Sequence, residues 1–295
     1  EYIVGKSKVD KRIEKLAKNL KDNKGNSIVV SNSNDIETQV IVNAINSILE
    51  TSAFNATIDV KASSATIRNN TAIKADNAES AIGTTGDGPY TGITITGNDI
   101  SAIDAENDVI KGINLGDKFT GTVTINDNTL TTKISEGIIV NAATDLTLEN
   151  NSITSAAGGT TGITIGGVTN TAQLGNSANI TRGNTVDEFA IGIQLNTAAN
   201  LYNNTVEHSS TAGVIVNNAA ANFIIDEHTS DSTNTLDIDI QDHNDTDITY
   251  STFNMVDGQT SIQIGSNASA VNINNNKFLD NDNGNDTEIA IQNND

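Results

Sequence analysis

The chain has no cysteine and no tryptophan, a single proline, and only four tyrosines and six phenylalanines in 295 residues. Without cysteine there is neither a disulfide framework nor a thiolate metal site. That does not exclude an extracellular address, because a large solenoid buries enough core without staples. Cations are scarce as well: 16 Lys and Arg against 37 Asp and Glu leave a formal charge of −21. Such a body repels phosphates, which argues against nucleic acid as a partner. No run approaches the roughly 18 apolar residues of a membrane span. The sequence also lacks a P-loop, a strand followed by Gly-x-Gly-x-x-Gly, and a nucleophile elbow. It begins at Glu1 and not Met. A removed signal peptide or a trimmed chain would explain this, and the composition suits the first.

What is present is a repeat. Short apolar strands recur, most of them entered through a glycine: Gly112-Ile113-Asn114-Leu115, Gly137-Ile138-Ile139-Val140, Gly162-Ile163-Thr164-Ile165, Gly192-Ile193-Gln194-Leu195 and Gly213-Val214-Ile215-Val216. Asp237-Ile238-Asp239-Ile240, Ser261-Ile262-Gln263-Ile264 and Glu288-Ile289-Ala290-Ile291 continue the series without the glycine. The first apolar residue steps from 113 to 138, 163, 193, 214, 238, 262 and 289. A period in the twenties that tolerates insertions marks a solenoid, and alternation marks strands with one buried face. About one residue in seven is Asn, yet Ile and Val fill the strand positions periodically, which is the opposite of disorder.

A second row, apolar-x-x-Asn-x-apolar, runs in phase with the first. Its copies are centred on Asn70, Asn98, Asn128, Asn151, Asn204 and Asn276. Ser251 takes the slot in one further copy, His228 in the poorest copy, and a copy ending at Asn184 has one residue too many. Two rows give at least two strands per coil. The pattern resembles the parallel β-helix repeat of pectate-lyase-like proteins, in which asparagines at one bend stack coil on coil. The resemblance covers residues 60–295 and implies a right-handed parallel β-helix of about nine coils, roughly 40–45 Å long. The fold class expected is therefore all-β, with an N-terminal helical segment. Fold alone does not imply function.

Three segments are expected. Residues 1–26 hold eight of the 16 basic residues and four acids, so their net charge is +4 and that of residues 27–295 is −25. Within them Tyr2-Ile3-Val4 reads as a strand, and Val9, Ile13, Leu16, Ala17 and Leu20 predict an amphipathic helix from Lys8 to Lys21. Residues 27–59 read as a strand, Ser27–Val30, and a helix over Ile36–Leu49, resembling the N-terminal cap of these β-helices. Residues 60–295 are the solenoid. The stretch 83–92, which carries the only proline, is a loop of the kind that can build a groove.

Two acidic runs are candidates for chemistry. Asp237, Asp239 and Asp242 lie in one, with Asp237 and Asp239 expected on a shared outward face; Asp280, Asp282 and Asp286 lie in the other. Oxygen donors in this density suit a solvated surface, Ca²⁺, or a paired-carboxylate hydrolase. Catalytic residues are otherwise missing. Lyases of the resembled fold need basic residues, but only Arg68 and Arg182 lie in the solenoid as arginines and no Lys stands beside either. The hydrolase motifs Gly-His-Gly and Arg-Ile-Lys are absent, as are aromatic sugar platforms. His208, His228 and His243 sit among acids and hydroxyls and read as solvated. No catalytic residue and no cofactor other than Ca²⁺ is expected. Asn-x-Ser/Thr triplets begin at Asn55, Asn69, Asn150, Asn179, Asn203, Asn244, Asn267 and Asn285, glycosylation candidates that chance also produces in so Asn-rich a chain.

The function expected is a structural subunit of an extracellular, cell-surface assembly such as a surface layer, sheath or filament. The partner would be another copy, with Tyr2, Ile3 and Val4 of one chain covering Ile289 and Ile291 of the next. The alternative is a carbohydrate-active enzyme or a glycan-binding adhesin or spike.

Overall fold

The computed structural model describes residues 2–4, 28–33, 36, 39–43, 46–76, 79–104, 106–176, 182–217, 223–231, 235–241, 244–256, 258–280 and 286–292. Among them every regular element is a strand, and every strand pairing is parallel. The chain is a parallel β-helix with three strands per coil. One coil runs Thr122–Asn126, Thr129–Leu130 and Ile134–Val140; the next begins at Asp145–Glu149 and stacks on it in register. The first strands of the coils form a twelve-stranded face that starts at Tyr2–Val4 and ends at Ser269–Asn274.

Apolar residues select this architecture because each strand buries alternate side chains. On the first face Ile67, Ile95, Ile125, Leu148, Leu174, Leu201, Ile225, Ile248 and Ile273 stand directly above one another. That row defines nine coils, counted here as coils one to nine from Ala65. All but Ile273 are fully buried. A buried Ile or Leu stabilises by about 2 kcal/mol, and stacking identical positions about 4.8 Å apart repeats that gain in every coil.

The bend between the first and second faces explains the asparagines. The residue before each ladder position but Asn184 is left-handed: Asn69 (φ 52°), Asp127 (58°), Asn150 (54°), Asn203 (57°), Glu227 (52°), Tyr250 (50°) and Asn275 (57°), with Gly97 at 66°. Asn tolerates this conformation better than most residues. The next residue turns inward and its amide continues up the stack. Nδ2 of Asn70 donates to Oδ1 of Asn98 (2.7 Å), and so on through Asn128 (2.9 Å), Asn151 (3.0 Å), Asn184 (2.8 Å) and Asn204 (2.9 Å). Asn184 holds its place although its copy carries the extra residue. Ser33 and Ser52 extend the line downward, with the Ser52 amide donating to Asn70 Oδ1. Ser251 and Asn276 extend it upward. His228 occupies the rung between Asn204 and Ser251, and it is fully buried, not solvated as its neighbours in sequence suggest.

The third face bends at the glycines that open its strands. A Cβ on Gly112, Gly137, Gly162 or Gly192 would lie 2.3–2.7 Å from the carbonyl oxygen of the glycine one coil above. It would also strike Leu130, Ile153, Val186 or Val206 of the core. The column therefore points inward and has room only for hydrogen.

The N-terminal part differs from expectation. Val40–Val42 and Ile48–Glu50 are strands, and Ile36 bridges to Phe54, so no helix spans Ile36–Leu49. Ile36, Val40, Ala44 and Ile48 fall four residues apart, a spacing that fits a helical face and, equally, alternate positions of strands. The backbone bonds of these strands go to the coil above, as in Val40 N–H to Thr57 C=O (3.0 Å). Residues 28–60 thus supply two further turns below Ala65. The helix expected at Lys8–Lys21 lies outside the described residues.

Candidate functional site

Three places carry the candidate residues. The first is the top of the solenoid. Ser269–Asn274, Lys277–Asp280 and Thr287–Ile291 pair only with the coil beneath them. Among the described residues no strand lies above. Ile289 is 40% and Ile291 67% exposed, two of only four large apolar side chains so exposed among the described residues. At the other end Tyr2–Val4 adds to the first face in parallel, with Tyr2, Ile3 and Val4 opposite Ile28, Val29 and Val30 of the same chain. The strand expected to reach a neighbouring molecule is therefore the outer edge of its own sheet.

The second place is the loop 83–92. Asp59, a nearly buried outward residue of the third face, holds its base: Thr85 donates its N–H to Oδ1 (2.8 Å) and its hydroxyl to Oδ2 (2.7 Å), and Lys61 Nζ sits 3.0 Å from Oδ2. The far side is fixed by Tyr90, which bridges to Phe119 and packs on its ring at 5.5 Å. Gly88, at φ 62°, passes so close to the Lys118 carbonyl that a Cβ would lie 2.8 Å from it. Between loop and face lies a depression of about 220 Å³ walled by Gln39, Thr57, Glu79, Ser80, Thr84 and Asn114. Its chemistry is hydroxyl, amide and carboxylate.

The third place is the acidic runs, which the coil bend pulls apart. Asp237 stands in the inward glycine column and is fully buried, with Gln259 Nε2 at 2.6 Å from Oδ1. Asp239 is on the outer row and takes Gln241 Nε2 (2.7 Å) and Gln263 Nε2 (3.2 Å). The two were expected on one outward face; the bend at residue 237 breaks the alternation that expectation assumed. Asp286 Oδ1 accepts the Gly258 N–H at 2.8 Å, while its Oδ2 is buried and makes no hydrogen bond among the described residues. Asp280 lies in a strand, and Asp242 and Asp282 fall outside the described residues.

The glycosylation candidates divide similarly. Asn69, Asn150 and Asn203 are the left-handed residues of the bend, on one edge of the rod. Asn69 and Asn150 are exposed and Asn203 half-buried, but Asn150 donates to Asp127 (2.8 Å) and Asn203 to the Asn176 carbonyl (3.0 Å). Asn267 is exposed and Asn55 half-buried; Asn244 begins a strand, and Asn179 and Asn285 are outside the described residues. Arg182, one of the two solenoid arginines, is committed to Glu149 (2.6 Å) and Asp127 (3.2 Å), and those bonds raise its pKa further. Arg68 is likewise held by Glu50 (2.6 Å).

Compared with protein-family models, curated proteins and solved structures, the chain matches none. The fold is a parallel β-helix on the evidence of its own strand pairing. No helix among the described residues is long and apolar enough to cross a membrane.

Proposed function

We propose that the protein is a structural subunit of an extracellular assembly, built by stacking copies end to end. The observation that carries this is the uppermost described coil, which presents Ile289 and Ile291 and whose strands have no partner above them among the described residues. An exposed parallel edge is a template for strand addition. The complementary edge is Tyr2–Val4, because it ends the same face with the same strand direction. Residues 269–274 of one copy against residues 2–4 of the next would continue the face without reversal. Such a contact is heterologous, so it produces a filament or sheet unless its rotation closes a ring. The right-handed sense of the coil and kinship with pectate-lyase-like proteins belong to the same proposal, supported by the left-handed bend and its asparagine stack.

Sedimentation velocity of the unaltered chain and of an Ile289→Lys/Ile291→Lys double variant tests the idea. The expected result is concentration-dependent growth in the first and a monomer in the second. A monomer in both, at high concentration and low salt, overturns it. Ca²⁺ at the acidic runs is part of this reading, and the buried Oδ2 of Asp286, without a hydrogen bond among the described residues, is what supports it.

The depression under loop 83–92 favours a second reading, the binding of a neutral glycan. Its hydroxyl, amide and carboxylate walls match a polyol, and the lysine beside it, Lys61, is already paired with Asp59 and not free to attract a uronate. Titration with neutral oligosaccharides is expected to give saturable binding that Glu79→Gln weakens about tenfold, the cost of a lost charged hydrogen bond. Equal binding by the variant, or none by the unaltered chain, removes this reading.

A further inference from the structure

Asp187, Glu207 and His208 belong to neither the ends nor the loop groove. Thr185-Val186-Asp187 of coil five pairs in register with Thr205-Val206-Glu207 of coil six. Val186 and Val206 are fully buried, so Asp187 and Glu207 point outward, one above the other. His208 follows at the left-handed turn (φ 48°), its N–H bound to the Asp231 carbonyl (3.0 Å), and its Nδ1 lies 2.8 Å from Asp187 Oδ1. One donor atom from each of the three side chains lies within 4.8 Å of the others.

We propose that these three side chains form a site for a divalent cation of the zinc class. The donor set is one imidazole and two carboxylates, which suits borderline transition ions better than Ca²⁺. Two ligands held about 2.0–2.1 Å from one ion at tetrahedral to right angles lie about 2.9–3.4 Å apart. The 2.8 Å between Nδ1 and Oδ1 is already close to that span. Glu207, with a carboxylate oxygen within 4.8 Å of the other two donors, supplies the third ligand, and His208 is exposed, so further coordination positions face solvent.

A second observation points the same way. Carboxylates stacked in register on adjacent strands repel. Glu207 stands in register with Asp231 as well, so three carboxylates form one column; where acids crowd the bend lower down, Arg182 spans Asp127 and Glu149. At Asp187 and Glu207 the only such partner among the described residues is the imidazole of His208. A bound dication would supply there what Arg182 supplies two coils below. On a body of net charge −25 (residues 27–295) the surrounding field favours it further.

The test is calorimetric titration of the intact chain with Zn²⁺, alone and in excess Ca²⁺. One saturable site that Ca²⁺ does not displace is expected. His208→Asn, which keeps a residue suited to the left-handed turn, and Asp187→Asn are each expected to weaken it at least tenfold while leaving the melting temperature of the metal-free protein within a few degrees. Co²⁺ is expected to shift the ring protons of His208 and not those of buried His228. Absence of a saturable site, equal affinity in His208→Asn, or full displacement by Ca²⁺ overturns the proposal.

Discussion

Asn128→Leu is expected to cost about 3 kcal/mol or more, since each buried group left without a partner costs about 1–3 kcal/mol. Asn128 Nδ2 donates to the carbonyls of Ile95 (3.0 Å) and Asn126 (2.9 Å) and to Asn151 Oδ1 (3.0 Å). Its Oδ1 accepts both the backbone N–H (3.1 Å) and the side-chain amide (2.9 Å) of Asn98. Leucine branches at the same carbon and is no smaller, so the loss is polar and not a cavity. It strands the Asn98 N–H below and removes one of the two donors to Asn151 Oδ1 above, which keeps only the backbone N–H of residue 128 (3.1 Å), in a column whose members polarise one another. Asn276→Leu is the comparison: Asn276 sits in the half-buried last coil, where water can take over its bonds. Urea unfolding of both variants checks this. If Asn128→Leu is no less stable than Asn276→Leu, the amide column is not what holds the bends together.

His228→Asn is expected to stabilise the protein, and to do so more at pH 5 than at pH 8. His228 is fully buried in a position built for an amide, and neither ring nitrogen has a hydrogen-bond partner of good geometry. Burial pushes its pKa down to about 4, with the Asn204 backbone acting weakly the other way. The ordinary value is 6.5. Above that value neither the folded nor the unfolded chain holds the proton, so the folded state keeps its full stability. Between 6.5 and 4 the unfolded chain takes up a proton that the folded chain refuses, and stability falls as pH falls. A shift of this size corresponds to roughly 3 kcal/mol once pH is below 4. At pH 8 the asparagine gains only the restored bonds to its neighbours in the column, about 1–2 kcal/mol. Chemical denaturation of both proteins across this range reads the difference directly, which cancels the carboxylates common to both. A difference that does not grow as pH falls means that the imidazole is hydrated or paired, contrary to the packing described here.

His208 behaves in the opposite sense. Its hydrogen bond to Asp187, followed by the charges of Asp187, Glu207 and Asp231, raises its pKa. Two histidines twenty residues apart thus titrate in different directions because one faces solvent among carboxylates and the other faces the core.

The repeat was legible in the sequence because a solenoid asks the same thing of every coil. Glycine recurs in most third-face strands, apolar residues follow it, and Asn occupies most bends, so period and register could be read from Ile113 to Ile289 and from Asn70 to Asn276 without coordinates. The bend also carried a partial signature, an Asn, Asp or Gly ahead of most ladder positions, with Glu227 and Tyr250 as the exceptions. What the sequence could not decide was where a local pattern meets a neighbour one coil away. Ile36, Val40, Ile48 and Leu49 fit a helix by spacing alone, and only the backbone partners in the coil above make them strands. Asp237 and Asp239 alternate like a surface pair, yet the column of glycines below Asp237 shows that its position faces inward. His228 looked solvated among acids and hydroxyls, and it is the stacking of Asn204 and Ser251 on either side that buries it. Asp187 is about twenty residues from the adjacent Glu207 and His208 and meets them only because coils five and six are paired in register. Periodicity is set by the local alternation of buried and exposed side chains, which a sequence records; the pairing of coils across twenty to thirty residues depends on how many residues each bend consumes, which only the folded chain reveals.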